Sequence, residues 1–210
     1  MPQTGPVSIQ TIRRLPVYAD YLKTLPETTE NVSATGIAAS MGLNDVQVRK
    51  DLALVCPHGR PKTGYNRKQL LFDIQAYLGH HNVTTAVLVG MGNLGRALHN
   101  YEGFRAYGLD IAAAFDKSDD IVGKVFNGKR VLHISKLPSL CPRVCARIGI
   151  VTVPACEAQK ICDALVECGI KAILNFAPVY LSAPKEVLVQ NENMASSLAV
   201  LSSHLKQGAV

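Results

Sequence analysis

The sequence predicts an α/β chain in two parts, an N-terminal winged helix-turn-helix followed by a C-terminal parallel sheet of the Rossmann type. Three observations predict it. Before residue 83, apolar residues recur at helical spacing in short segments bounded by capping residues and glycine stops. After it, near-continuous apolar runs alternate with helical patterns, as strands buried on both faces require. The first such run leads from Val83 into Gly90-Met91-Gly92-Asn93-Leu94-Gly95, and a second, Leu109 to Phe115, ends on Asp116.

In the first half, Ser8 caps a helix reaching about Lys23, with Ile9, Ile12, Leu15 or Pro16, Tyr18 or Ala19, and Leu22 on one face. Pro16 should interrupt or kink it. Ser33 caps a short helix, Ala34 to Met41, stopped by Gly42. Asn44 opens a third, Asp45 to about Val55, with Gln47 placed to complete a capping box. Asn66 and Gln69 repeat that arrangement for a fourth, Arg67 to Leu78, closed by Gly79. Two short helices around a glycine turn make a helix-turn-helix from Val32 to Val55. Val48, Leu52 and Val55 form its buried stripe, leaving Gln47, Arg49, Lys50 and Ala53 free to meet DNA. Pro57 to Tyr65, rich in turn formers and bases, suits a wing along a groove or phosphate backbone.

In the second half, strand Thr84–Gly90, helix Asn93–Tyr101 and strand Leu109–Phe115 are followed by shorter strands near Val131–Ile134 and Ile148–Val153. Helix Glu157–Cys168, strand Ile170–Phe176, a strand near Glu186–Val189 and helix Asn193–Lys206 complete the chain. His80-His81-Asn82 is the expected seam.

The glycine spacing predicts a dinucleotide. Gly90 allows a tight turn, Gly92 lets the backbone approach a pyrophosphate, and Gly95 lets helix pack on strand. Asp116, 21 residues beyond Gly95, is placed to accept ribose hydroxyls. A 2′-phosphate would meet a like charge, favouring NAD over NADP, with the neighbouring Lys117 acting the other way. The alternative is a tight turn with no ligand.

Of 210 residues, 48% are apolar, enough for a real core, and the net charge of +6 admits an anionic partner. Between Gln47 and Leu70, six basic residues (Arg49, Lys50, Arg60, Lys62, Arg67, Lys68) face one acid, Asp51. The first 30 residues lack a signal-peptide core. No apolar run reaches the roughly 18 residues of a membrane span, so a cytoplasmic protein without a membrane partner is expected. Six cysteines then read as buried or free thiols, and without a CxxC no metal site is expected.

A nicotinamide oxidoreductase needs a substrate pocket and a proton donor. Only 128 residues remain after the helical half, and the sheet with its helices uses nearly all of them. His99, His133, Tyr101 and Tyr180 are scattered, and no GxSxG, HExxH or paired-carboxylate pattern occurs. No catalytic residue is therefore assigned. The nucleotide reads as a signal coupled to DNA affinity.

The chain resembles the Rex redox-sensing transcriptional repressors of bacteria over essentially its whole length. The resemblance is carried by Arg14-Leu-Pro-Val-Tyr18, Gln47-Val-Arg-Lys-Asp-Leu52, Gly64-Tyr65, Gly90 to Gly95 and Ile173-Leu-Asn-Phe-Ala-Pro178. It implies a homodimer with a DNA-binding winged helix (residues 1–82), an NAD(H)-binding Rossmann domain (83–190) and an exchanged terminal helix (191–210). Members bind inverted-repeat double-stranded operators when NADH is low; NADH closes the Rossmann pair and releases DNA, while NAD⁺ competes weakly. Arg49 and Lys50 would then enter the major groove, and the wing, with Arg60, Lys62 and Tyr65, would track phosphate or minor groove. Gly90, Gly92, Asn93, Leu94 and Asp116 would hold adenosine and pyrophosphate. Val153-Pro154-Ala155 and Asn175-Phe176-Ala177-Pro178 would line the nicotinamide side, with Tyr101 near it and the domain junction. Leu198, Val200 or Leu201, and Leu205 would be the stripe of the exchanged helix. The chain departs from the family pattern in the wing, where Pro61 replaces an arginine between Arg60 and Lys62. Asp20 and Asn193 stand where the family has an arginine–aspartate latch, and Met194 replaces an aromatic residue. Two other functions fit the sequence: a Rex-like paralogue with a lost or altered NADH response, and a small NAD-dependent oxidoreductase or CoA-ligase-like subunit.

Overall fold

A computed structural model describes residues 7–79 and 83–208, in two compact units, residues 1–82 and 83–210. The expected seam, His80-His81-Asn82, lies outside the described residues.

In the first unit, α1 (Ile9–Thr24) is capped by Ser8, whose hydroxyl accepts from the Thr11 amide at 3.1 Å. α1 runs through Pro16 without interruption. Its buried face is Thr11, Leu15, Tyr18, Ala19 and Leu22, while Ile9 and Ile12, expected on that face, are exposed. The helix is turned so that Thr11, not Ile12, faces inward, where its hydroxyl bonds a buried carboxylate. α2 (Ala34–Met41) begins at Ser33 and ends at Gly42 in the left-handed conformation. α3 (Asp45–Val55) is capped by Asn44, which accepts from the Val46 and Gln47 amides. The capping boxes are only half formed. Gln47 turns forward to Asp51 and Gln69 to Asp73, each four residues on, so neither reaches back to its cap.

β1 (Asn31–Val32) pairs antiparallel with β2 (Tyr65–Asn66), which leads into α4 (Arg67–Tyr77). Leu15, Tyr18, Leu22, Ile37, Val48, Leu52, Leu70 and Ile74 meet in one core. Each fully buried aliphatic side chain contributes about 1.5–3 kcal/mol. Arg67 is also buried, donating to the Leu22 and Leu25 carbonyls at the end of α1. Its charge is spent on that helix terminus and leaves the basic surface.

The second unit centres on a six-stranded sheet, all parallel, built from β3 (Thr84–Val89), β4 (Leu109–Asp116), β7 (Leu132–His133), β8 (Ile148–Val151), β9 (Ala172–Asn175) and β10 (Leu188–Asn191). From one edge the order is β7-β4-β3-β8-β9-β10, the doubly wound order with its switch point beside β3. Alternate residues of β3 enter different cores, Val87 and Val89 on one face, Ala86 and Leu88 on the other. That is why the run is apolar throughout. α6 (Leu137–Leu140) and α7 (Ala155–Glu167) share the first core, whereas Leu98 of α5 (Asn93–His99) packs on the second.

Several bounds differ from the sequence reading. α5 stops at His99, leaving Tyr101 outside, and α7 starts two residues earlier than expected. The β10 strand lies further along, and a small hairpin of β5 (Val125–Phe126) and β6 (Lys129–Arg130) was not anticipated. α8 (Met194–Gly208) ends the described chain. Among the described residues, no helix is long and apolar enough to cross a membrane, and no cluster of three His, Cys, Asp or Glu could hold a metal ion. The six cysteines are free thiols, with Cys56, Cys141 and Cys162 buried.

Candidate functional site

The switch point opens into a cleft of about 620 Å³ at the C-terminal ends of β3, β4 and β8, within the range of ligand sites. Gly90 sits at φ +103°, and a Cβ there would lie 2.7 Å from the Thr152 carbonyl oxygen. At Gly95 a Cβ would come within 1.8 Å of the Gly90 carbonyl oxygen, so α5 rests directly on the turn. At Gly92 a Cβ would meet nothing within 4 Å. Two glycines serve packing, and the third leaves backbone bare to the cleft.

Asp116 closes β4 with both oxygens engaged. Oδ2 accepts from the Met91 amide at 2.6 Å and Oδ1 from the Ser118 amide at 2.9 Å. The carboxylate is thereby tied to the glycine turn, and each oxygen keeps a free lone pair for a further donor. The Thr152 hydroxyl reaches the Gly90 and Val89 carbonyls at 2.7 and 3.1 Å, stitching the end of β8 to the same turn.

Of the expected nucleotide residues, Gly90, Gly92, Asn93, Leu94, Asp116, Lys117, Val153 and Pro154 line this cleft. Gly95 lies beneath it, and Ala155, Asn175, Phe176, Ala177, Pro178 and Tyr101 are not in its wall. Buried Asn175 serves its own loop. Its amide donates to the carbonyls of Ala177 and Val179 and to the Asn191 side chain, while its oxygen accepts from the Ala177 amide. Tyr101 is exposed, with its ring edge-on to Phe104 at 5.1 Å. The sequence reading missed Ile121, Ile134, Thr152, Glu157, Lys160 and Ile161, which also line the cleft. Glu157, Lys160 and Ile161 follow the i, i+3, i+4 spacing of one helix face, a signal that becomes specific only once α7 is known to border the cleft. His99, His133 and Tyr180 are not among its lining residues.

In the first unit, a concavity of about 530 Å³ gathers Ser33, Ala34 and Thr35 at the start of α2, Arg49 of α3, and Arg60, Pro61 and Lys62 of the wing. The wing is a tight loop in which Arg60 and Gly64 exchange backbone hydrogen bonds at 2.8 Å. Arg49 is exposed and 3.3 Å from Asp45, a pair weak enough to be given up to an anion. Lys50 is exposed on α3 but lies outside the concavity. Tyr65 also lines the concavity; it is largely buried, its ring packed where a Cβ on Gly59 would fall 2.6 Å away, so it props the wing. Gln47 is committed to Asp51.

Asp51 fixes α3 against α1. It accepts from Arg14 Nε at 2.6 Å and Nη2 at 3.0 Å, from the Tyr18 hydroxyl at 2.9 Å, from Thr11 at 3.1 Å and from Gln47 at 3.0 Å. Burial alone would raise its pKa; the Arg14 guanidinium and the Tyr18, Gln47 and Thr11 donors outweigh this and hold it below the usual value. Burial and the bond to Asp51 push Tyr18 up to about 12.

Comparison with known proteins covers both units. Residues 81–179 match the family model described as "CoA binding domain" and residues 6–53 the one described as "Putative DNA-binding protein N-terminus". The chain is 42% identical to the redox-sensing transcriptional repressor Rex of Porphyromonas gingivalis, over 93% of this chain and 90% of that protein. It is 41% identical to the Rex of Carboxydothermus hydrogenoformans, over 94% and 95% of the two chains. It is also similar to the crystal structure of RSP in complex with β-NAD⁺ and operator DNA, with a TM-score of 0.90, 32% identity, and 97% of this chain and 94% of that one covered. RSP in complex with β-NADH matches with a TM-score of 0.86 at 32% identity, covering 97% and 96%.

Proposed function

We propose a function from one premise: this chain belongs to the Rex family of redox-sensing transcriptional repressors. It is a DNA-binding repressor that senses the NADH/NAD⁺ ratio and lets go of its operator when NADH occupies the cleft. One observation carries this reading: a basic helix-turn-helix concavity and a glycine-floored nucleotide cleft occur in the same chain. Titrating NADH into the full chain bound to an inverted-repeat operator tests it.

The cleft fits the dinucleotide: Gly92 is bare, and Asp116 is fixed with lone pairs to spare. Gly90, Gly92, Asn93 and Leu94 would hold the pyrophosphate and Asp116 the adenine ribose. Val153, Pro154 and the loop pinned by Asn175 would border the nicotinamide. Bound there, the nucleotide supplies binding free energy that depends on its oxidation state, and the chain acts as a regulator rather than an enzyme. The coupling is reciprocal, so operator DNA should weaken NADH binding by the factor by which NADH weakens operator binding.

On the DNA side, Arg49 reads bases while Arg60 and Lys62 meet phosphate. Arg49→Ala is expected to weaken specific binding by about 1–3 kcal/mol, the worth of a bidentate base contact, with little change on non-specific DNA. Unchanged operator affinity in a gel shift would move the recognition role elsewhere on α3.

The working form is a cytoplasmic homodimer. Leu198, Leu201 and Leu205 of α8 share one face and are 60–72% exposed in the single chain, an arrangement that a second copy would cover. Leu201→Glu should shift the dimer to monomer by light scattering; a dimer of unchanged mass would place the interface elsewhere. Asp20 bonds Lys23 at 2.9 Å, and Asn193 accepts from the Ser196 amide, capping α8. An Asp–Asn pair offers no ionic latch, so in this chain the response is carried by other contacts.

A further inference from the structure

We propose that Glu157 is a specificity-determining residue, which keeps the cleft closed to dinucleotides phosphorylated on the adenine ribose by holding the Lys117 ammonium away from it. This rests on the dinucleotide reading of the cleft. Asp116 cannot swing away from an added phosphate, because its two oxygens are bound by the Met91 and Ser118 amides on different sides. A phosphate at the ribose carries close to two negative charges and would be tolerated there only with a cation brought alongside. Lys117, the next residue, is the obvious donor of that cation. Its Nζ instead lies 3.1 Å from Glu157 Oε1, in the first turn of α7. Both partners line the cleft, so the ion pair spans from the end of β4 to α7.

A second cation in the cleft wall, Lys160, stands three residues after Glu157 on the same helix. Glu157 thus offsets Lys117, and the fixed Asp116 sets the sign at the ribose. The identity of Glu157 matters through Lys117, so it acts as a positioning residue and need not touch the nucleotide.

The test is calorimetric titration of the full chain with NADH and with NADPH, for the wild type, Glu157→Gln and Glu157→Gln/Lys117→Met, with thermal melts to confirm that all three are folded. Freeing one lysine beside the ribose should raise the NADPH-to-NADH affinity ratio about two- to fivefold in Glu157→Gln, the range for a pair whose lysine is 65% exposed, and the added Lys117→Met should return it. A ratio unmoved by Glu157→Gln, in a protein that still binds NADH, would overturn the proposal. So would a gain that persists in the double variant, which would assign the cation to Lys160. Failure of the wild type to bind NADH at all would instead sink the dinucleotide reading beneath it.

Discussion

Asp51→Ala is expected to destabilise the N-terminal unit by about 3–5 kcal/mol, the cost of removing one partner from a buried ion pair. Five donor atoms converge on this carboxylate, and it is 1% exposed. Removing it leaves Arg14, Tyr18, Thr11 and Gln47 without the acceptor they share. The first urea-unfolding transition should move to lower denaturant, and operator binding should fall with it, because the same group fixes α3 against α1. A transition within 1 kcal/mol of wild type, taking that as roughly the worth of one ordinary hydrogen bond, would show the network to be dispensable. The pH dependence has a definite sign. The folded pKa of Asp51 is lowered, so its contribution is complete above about pH 4, the unfolded carboxyl value. It is lost as pH falls from there through the lower folded value. In Asp51→Ala this part of the acid sensitivity should be gone.

Gly95→Ala is expected to disable sensing while sparing DNA binding. The new methyl would stand 1.8 Å from the Gly90 carbonyl oxygen, the atom that the Thr152 hydroxyl also holds. No rotamer relieves a Cβ clash with backbone, so α5 must lift off the turn and distort the cleft floor. Overpacking of this kind costs roughly 1–3 kcal/mol, or about five- to 150-fold in NADH affinity. The variant should therefore remain on its operator at NADH concentrations that clear the wild type. Wild-type NADH affinity would mean that the turn is more yielding than its geometry implies.

Much of this was legible where the signal is local. Ser8, Ser33, Asn44 and Asn66 each cap the helix that follows them, because a cap and its amide donors lie within three residues. The tight turn at Gly90 and the helix packing at Gly95 follow from spacing for the same reason. The helices holding Arg14 to Tyr18 and Gln47 to Leu52 were legible from periodicity, but the bonds that join the two segments through Asp51 were not, since they link residues more than 30 positions apart. The β5–β6 hairpin did carry a signal. Asn127 and Gly128 take positive φ at its turn, as an Asn-Gly hairpin prefers, but two-residue arms are too short to show alternation.

What escaped the sequence is what topology gathers. Thr152, Glu157, Lys160, Ile121 and Ile134 reach the cleft because the strand order folds β8 and β7 to either side of β3 and β4. Nothing near them in the chain marks the destination. Polar residues were harder still to read. Arg67 counted among the basic residues by composition, yet it is buried and claimed by the end of α1, and the bond from Gln47 to Asp51 carried no sequence signal.

One chain both holds an operator and reads NADH. Fluorescence anisotropy of a labelled inverted-repeat operator, with the full chain titrated at fixed salt in the absence of nucleotide, with NAD⁺ and with NADH, tests it most directly. Tight binding is expected without nucleotide and with NAD⁺, and release on adding NADH. Operator affinity that stays the same under all three conditions, in a protein shown to bind NADH, would contradict it.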